Sequence, residues 1–158
     1  MKRVLLGVLA LVAFACAPAS AKPLNGGVTP AEVVAVLAAA GVATEQSTDK
    51  DGDPQLKGTV ESIIFFVRFY DCKAGRCIAT QFSAGFDFKE GKPLDLINSW
   101  NRTHRFGRAW LDDENDPYVQ MDHDWERGGT TEAIANDFEI WRTLMREFPK
   151  YIGYTPAN

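Results

Sequence analysis

Between Ile63 and Phe88 the chain reads IIFFVRFYDCKAGRCIATQFSAGFDF, two strand-like runs joined by K-A-G-R with a cysteine at each shoulder. The run before Cys72 is β-branched and aromatic, and after Cys77 the residues Ile78, Thr80, Phe82, Ala84 and Phe86 alternate with small or polar ones. Gly75 supplies a positive φ for the short loop, so the segment is predicted to be a β-hairpin. A hairpin forces two neighbouring antiparallel strands and restricts the fold to one built on an antiparallel sheet. Facing positions in such a pair hold Cα atoms about 4.5–5.5 Å apart, within reach of a disulfide. The stretch IIFFV is apolar on both faces, which predicts a central strand covered on both sides or packed at a partner.

Whether the cysteines pair depends on the compartment. The chain opens MKRVLLGVLALVAFACAPASA, with Lys2 and Arg3 as a positive region, an apolar stretch from Val4 to Cys16, and Ala19-Ser20-Ala21 as a cleavage site. Residues 1–21 are therefore predicted to be a signal peptide, and 22–158 a single domain that is periplasmic or secreted. A membrane-spanning helix needs about 20 apolar residues; the stretch before Ala17-Pro18 has thirteen. A lipid-modified Cys16 is disfavoured, because Ala13-Phe14-Ala15 lacks the usual large aliphatic residue. Loss of Cys16 leaves Cys72 and Cys77 in an oxidising compartment, where an even count favours a disulfide. Closing so small a ring contributes about 2 kcal/mol on the chain-entropy account. A redox site would place C-x-x-C at a helix N-terminus, and a zinc site would need two more soft ligands, for which only His104 and His123 remain. Lys73 and Arg76 are expected as exposed charges beside the loop, able to orient a partner.

Without Lys2 and Arg3 the chain carries 15 basic against 21 acidic residues, a net charge of −6. With no basic run it is unsuited to nucleic acid or anionic lipid. An aromatic content of 11% and a hydrophobic content of 46% exclude a disordered chain.

The remaining elements follow from caps and periodicity. Thr29, Pro30, Glu32 and Gly41 bracket a helix over Pro30 to Ala40 with Val33, Val36, Leu37 and Ala40 as its stripe. A short strand near Val42 to Gln46 meets STDKDGDP. An EF-hand loop there would need Gly and Glu where Pro54 and Val60 stand, so it reads as a solvated turn. Strands are expected at Gln55–Thr59, Ile63–Asp71 and Cys77–Phe88, then a helix from Leu94 to about Arg105 with Leu94, Ile97, Trp100 and His104 inward. RAWLDD and YVQMDHDW give two further strands, the second with Val119, Met121, His123 and Trp125 on one face. A last helix covers Thr131 to Phe148, and Pro149 is expected to stop it. The class is α+β: an antiparallel sheet of five to six strands with three helices.

These elements carry a resemblance. FFVRFYDC, CIATQFSAGF, LINSWNRTHRFGRAWLD, DPYVQMDHDWERGGTT and FEIWRTLMREFPKYI are similar to the YbjN family of bacterial sensory transduction regulators, over about Thr29 to Ile152. The most specific part is Ile97, Asn98, Trp100 and Asn101, followed by RFGRAWLD. The resemblance implies a fold like type III secretion chaperones, of order α-β-β-β-α-β-β-α with the short first strand minor, and no catalytic residue, cofactor or ligand. An exported form with a cysteine hairpin departs from the cytoplasmic members.

Asn98, Trp100, Asn101, Arg102 and Arg105 are the candidate binding residues, since amides and guanidinium groups together suit a peptide carboxylate or a sugar. The competing role for the asparagines is to bond local backbone and fix the helix end against the next strand. Asp122, His123 and Asp124 resemble metal ligands, but on a strand His123 points away from both acids and needs partners such as Asp112 or Asp113, so a half-buried histidine beside solvated acids is favoured. Tryptophans stacking on a glycan are a further reading, although Trp100 and Trp141 fall on core stripes. G-x-S-x-G, H-E-x-x-H, phosphate-loop and dinucleotide motifs are absent, and Ser99 with His104 is too generic a pair. The expectation is an exported, non-enzymatic module that binds an unidentified protein or peptide through its sheet or a helix groove, with homodimerisation left open. A small metal-dependent or hydrolytic envelope enzyme and a glycan-binding module are the alternatives.

Overall fold

The structure is a computed structural model and describes residues 21–156; most of the predicted signal peptide, with Cys16 and Ala19, lies outside them. The chain forms β1 (Pro23–Leu24), α1 (Pro30–Ala39), β2 (Thr44–Thr48), β3 (Pro54–Val60), β4 (Ile63–Lys73), β5 (Arg76–Gly85), α2 (Leu94–Thr103), β6 (Arg108–Leu111), β7 (Pro117–Asp124), β8 (Gly129–Thr130) and α3 (Thr131–Ile152). Six strands make one antiparallel sheet in the order β2-β3-β4-β5-β7-β6, and β1 pairs with β8 in a small ribbon. The α+β architecture is as expected. However, β2 pairs all five of its residues with β3, so the order is α-β-β-β-β-α-β-β-α and the first strand is a full member of the sheet.

Local chemistry accounts for most boundaries. At α1 the Thr29 hydroxyl accepts the Glu32 N–H at 3.2 Å, and the Glu32 carboxylate accepts the Thr29 N–H at 2.7 Å, a reciprocal cap with Pro30 at the first helical position. Two helix ends differ from expectation. α2 stops at Thr103, short of Arg105, because His104 turns extended (φ −119°, ψ 148°) and the Thr103 hydroxyl donates to the Ser99 carbonyl at 2.8 Å. α3 runs through Pro149 to Ile152. Proline removes one helical N–H, but the turn beyond it is held by packing: Ile152 is buried and the Tyr151 ring meets Trp100 at 5.2 Å. Gly153, with φ +71°, then ends the helix in the left-handed conformation.

The inner face of the sheet is an aromatic core. Phe65 and Phe82 meet Phe138 of α3 at 6.2 and 6.5 Å and Trp141 at 6.1 and 5.7 Å. Phe148 links Phe86 at 5.4 Å to Trp100 of α2 at 4.9 Å. Of the two readings of IIFFV, cover on both sides does not hold: Phe66, Arg68 and Tyr70 are half-buried and Ile64 is 52% exposed, so β4 is covered on one side among the described residues. On that outer face Tyr118 lies across Gly85, where an added Cβ would approach its ring to 2.6 Å.

Candidate functional site

Three groups of residues carry chemistry beyond the core. The first is the cysteine hairpin. Ala74 (φ +52°) and Gly75 (φ +80°) form a two-residue turn with both centres left-handed, the form that matches strand twist. Cys72 and Cys77 face each other across the ladder and are joined by a disulfide. Both main-chain groups of Cys77 are turned to Val28, its N–H donating at 2.8 Å and its carbonyl accepting at 2.9 Å. The disulfide therefore spans a pair that shares no main-chain hydrogen bond, the kind in which Cα atoms lie closest. Lys73 is exposed as expected, whereas Arg76 is not free. Its guanidinium donates to the Gly27 carbonyl and pairs with Glu32 at 3.1 Å, tying the hairpin to the start of α1. This cluster is a joint between elements.

The second group surrounds His123. Asp122 and Asp124 are exposed, as expected. The imidazole stacks on Trp125 at 3.7 Å, and its Nδ1 lies 2.7 Å from an Asp137 carboxylate oxygen on α3. Burial pushes the Asp137 carboxyl above its ordinary range, and the charge and hydrogen bond of His123 pull it part of the way back. Trp125 donates from Nε1 to the Thr80 hydroxyl at 2.8 Å. Among the described residues no group of three or more His, Cys, Asp or Glu is placed to hold a metal ion. One imidazole and one carboxylate join β7 to α3 and form no ligand set. Sequence spacing carries no signal for this pair, since its partners sit on different elements.

The third group lies at the end of α2, where the candidate binding residues separate into two kinds. Trp100 is fully buried, donates from Nε1 to the Gly107 carbonyl at 3.2 Å, and stacks on His104 at 3.7 Å. The Asn101 amide donates to the Ala109 carbonyl at 2.9 Å and accepts the Ala109 N–H at 2.8 Å. Trp100 and Asn101 are thus anchors for the turn into β6. Asn98, Arg102 and Arg105 remain exposed. Next along the chain stand two exposed residues that the residue pattern did not single out, Phe106 and, at the start of β6, Arg108. Phe106 is 63% exposed with φ +72°, an unusual conformation for a bulky residue, and the Arg105 guanidinium lies 5.7 Å from its ring. Arg102, Arg105 and Arg108 have no carboxylate at ion-pair distance among the described residues. A cavity of about 340 Å³ adjoins this corner, bounded by His104, Arg105 and Phe106 on one side and Ile140, Leu144 and Glu147 of α3 on the other. A larger groove of about 580 Å³ between α1 and α3 is lined mostly by alanines and offers few polar groups for recognition.

The tryptophans do not assemble into a glycan platform. Trp100, Trp125 and Trp141 are buried, and only Trp110 is exposed, at 40%, stacked on Tyr118 at 4.6 Å. No described helix is long and apolar enough to cross a membrane.

No curated protein and no solved structure matches the chain. Residues 29–153 match the profile of YbjN, whose description is "Putative bacterial sensory transduction regulator", and the chain belongs to that family.

Proposed function

We propose that this protein is an exported, non-enzymatic regulator of the bacterial cell envelope that acts by binding an acidic segment of a protein or peptide partner. The docking surface is the outer side of α2 with the corner that follows it: Asn98, Arg102, Arg105, Phe106 and Arg108. The observation that carries this reading is three arginines, at the end of α2 and the start of β6, without carboxylate partners among the described residues, one of them, Arg105, 5.7 Å from the ring of the exposed Phe106, on a chain whose formal net charge is −4. A local positive patch on an acidic molecule attracts an acidic segment in one orientation and repels it elsewhere, which gives specificity and faster encounter. Guanidinium forks hold carboxylates in pairs of hydrogen bonds, Asn98 adds an amide, and Phe106 supplies the apolar contact such a site needs. Export is supported by the predicted signal peptide and by the Cys72–Cys77 disulfide, which persists in oxidising compartments. The family's description as a regulator supports the non-enzymatic reading.

A photo-crosslinking phenylalanine analogue at position 106, used in intact cells and followed by mass spectrometry, is expected to capture a partner with an acidic segment. Arg102→Glu with Arg105→Glu should weaken that capture at least tenfold while the protein stays folded. Absence of a crosslinked partner, or capture unaffected by the charge reversals, overturns the reading.

A further inference from the structure

The two edges of the six-strand sheet are treated differently by the chain. At β6 the Asn101 side chain occupies both the N–H and the carbonyl of Ala109, the groups to which another strand would bond. At β2 no described strand lies on the outer side. The sequence there, Thr44 to Thr48, has none of the usual protections of a free edge: no lysine, no proline, no bulge, and Glu45 as its one charge. Four of its five residues are exposed.

The register shows which groups are free. The Asp49 N–H donates to the Asp53 carbonyl at 2.8 Å, so in the same ladder Ser47 and Glu45 direct their main-chain groups to β3. Thr44, Gln46 and Thr48 therefore direct theirs outward, and of these the Thr48 carbonyl already accepts the Gln55 side-chain amide at 3.2 Å. Two copies of this edge can pair antiparallel only if outward residues face outward residues. Centring the two-fold axis on Gln46 sets Gln46 opposite Gln46 and Thr44 opposite Thr48, aligns all five residues of each strand, and permits about four main-chain hydrogen bonds by the ladder rule while the Thr48 carbonyls stay with Gln55. It also puts Glu45 opposite Ser47. Moving the axis to Glu45 would instead set two carboxylates face to face, which is destabilising. The edge is thus complementary to itself in one register, and threonine pairs suit it.

We propose that β2 is a homodimer interface, in which the edges of two copies pair about Gln46 to form one continuous twelve-strand sheet. This goes beyond the partner site at α2, which lies by the opposite edge and stays open in such a dimer. Five residues on each side give a small contact, so the association is weak and concentration-dependent.

Sedimentation equilibrium of the purified protein is expected to show a reversible monomer–dimer equilibrium. Gln46→Lys and Gln46→Glu each place like charges opposite one another and should raise the dissociation constant at least tenfold. Mixing the two variants should restore dimers, because unlike charges then meet. Both substitutions are at an exposed position whose main-chain groups do not serve β3, so circular dichroism should be unchanged. A strict monomer at the highest attainable concentration, a dimer indifferent to both charges, or a mixture that fails to recover overturns the proposal.

Discussion

The two turns at the ends of β4 have the same backbone form and different supports. Glu61–Ser62 and Ala74–Gly75 both place two left-handed residues between antiparallel strands. Around Ala74–Gly75 stand the disulfide, the Val28 bridge and the Arg76–Glu32 pair, with His123–Asp137 joining the neighbouring strand to α3. Around Glu61–Ser62 stands one exposed contact, Arg146 to Glu61 at 3.8 Å. Strain that a turn carries persists only where surroundings over-determine it. The difference shows that one turn of β4 is tied to the rest of the fold by several specific joints and the other by a single exposed contact.

The contrast can be broken first at its strongest point. Removing the disulfide by Cys72→Ser with Cys77→Ser should lower stability by about 2 kcal/mol, read from urea denaturation, with the far-ultraviolet spectrum retained. Thiol titration of the native protein should find no free thiol at Cys72 or Cys77 until a reductant is added.

His123→Ala comes next, at about 1–2 kcal/mol near neutral pH, because it leaves the largely buried Asp137 carboxylate without the imidazole that lies 2.7 Å from it. The sign follows from Asp137, whose pKa is raised by burial above its ordinary 3.8. A raised folded-state pKa gives stability that is present below the unfolded value and lost as pH rises through the folded one. The His123→Ala defect should therefore shrink in acid, and Asp137→Asn should abolish that recovery in denaturation curves measured at both pH values.

Arg76→Met should cost about 1 kcal/mol by releasing α1 from the hairpin, seen as faster amide exchange at Val28 and Cys77. At the opposite end the sign reverses: Ser62→Gly should stabilise by about 0.5–1 kcal/mol, since glycine accepts positive φ without strain. Arg146→Ala should change stability by no more than about 0.5 kcal/mol, as expected of an exposed pair.

What was legible in the sequence was local. The cap of α1 depends on residues three apart, and the cysteine hairpin on six consecutive ones, so both could be read directly. What was not legible depends on contacts between distant segments. His123 finds its carboxylate on a different element, and Arg76 finds Glu32 forty-four positions away. Pro149 reads locally as a stop, yet Ile152 and Tyr151 have enough core to pack against that the helix continues. In the candidate site Asn98, Arg102 and Arg105 could be named from type and spacing. The exposed ring of Phe106 could not, because phenylalanine gives no signal for positive φ.

The distribution of the tryptophans gives the molecule a built-in optical reporter. Three of the four indoles are sealed in the core, and Trp110 alone meets solvent, two residues beyond Arg108 and stacked on Tyr118. Collisional quenching by iodide will therefore sample one residue, on the strand that leads away from the arginine corner. A ligand that settles there changes that accessibility without labelling or mutation, while emission from the buried three remains as an internal reference for the intact fold.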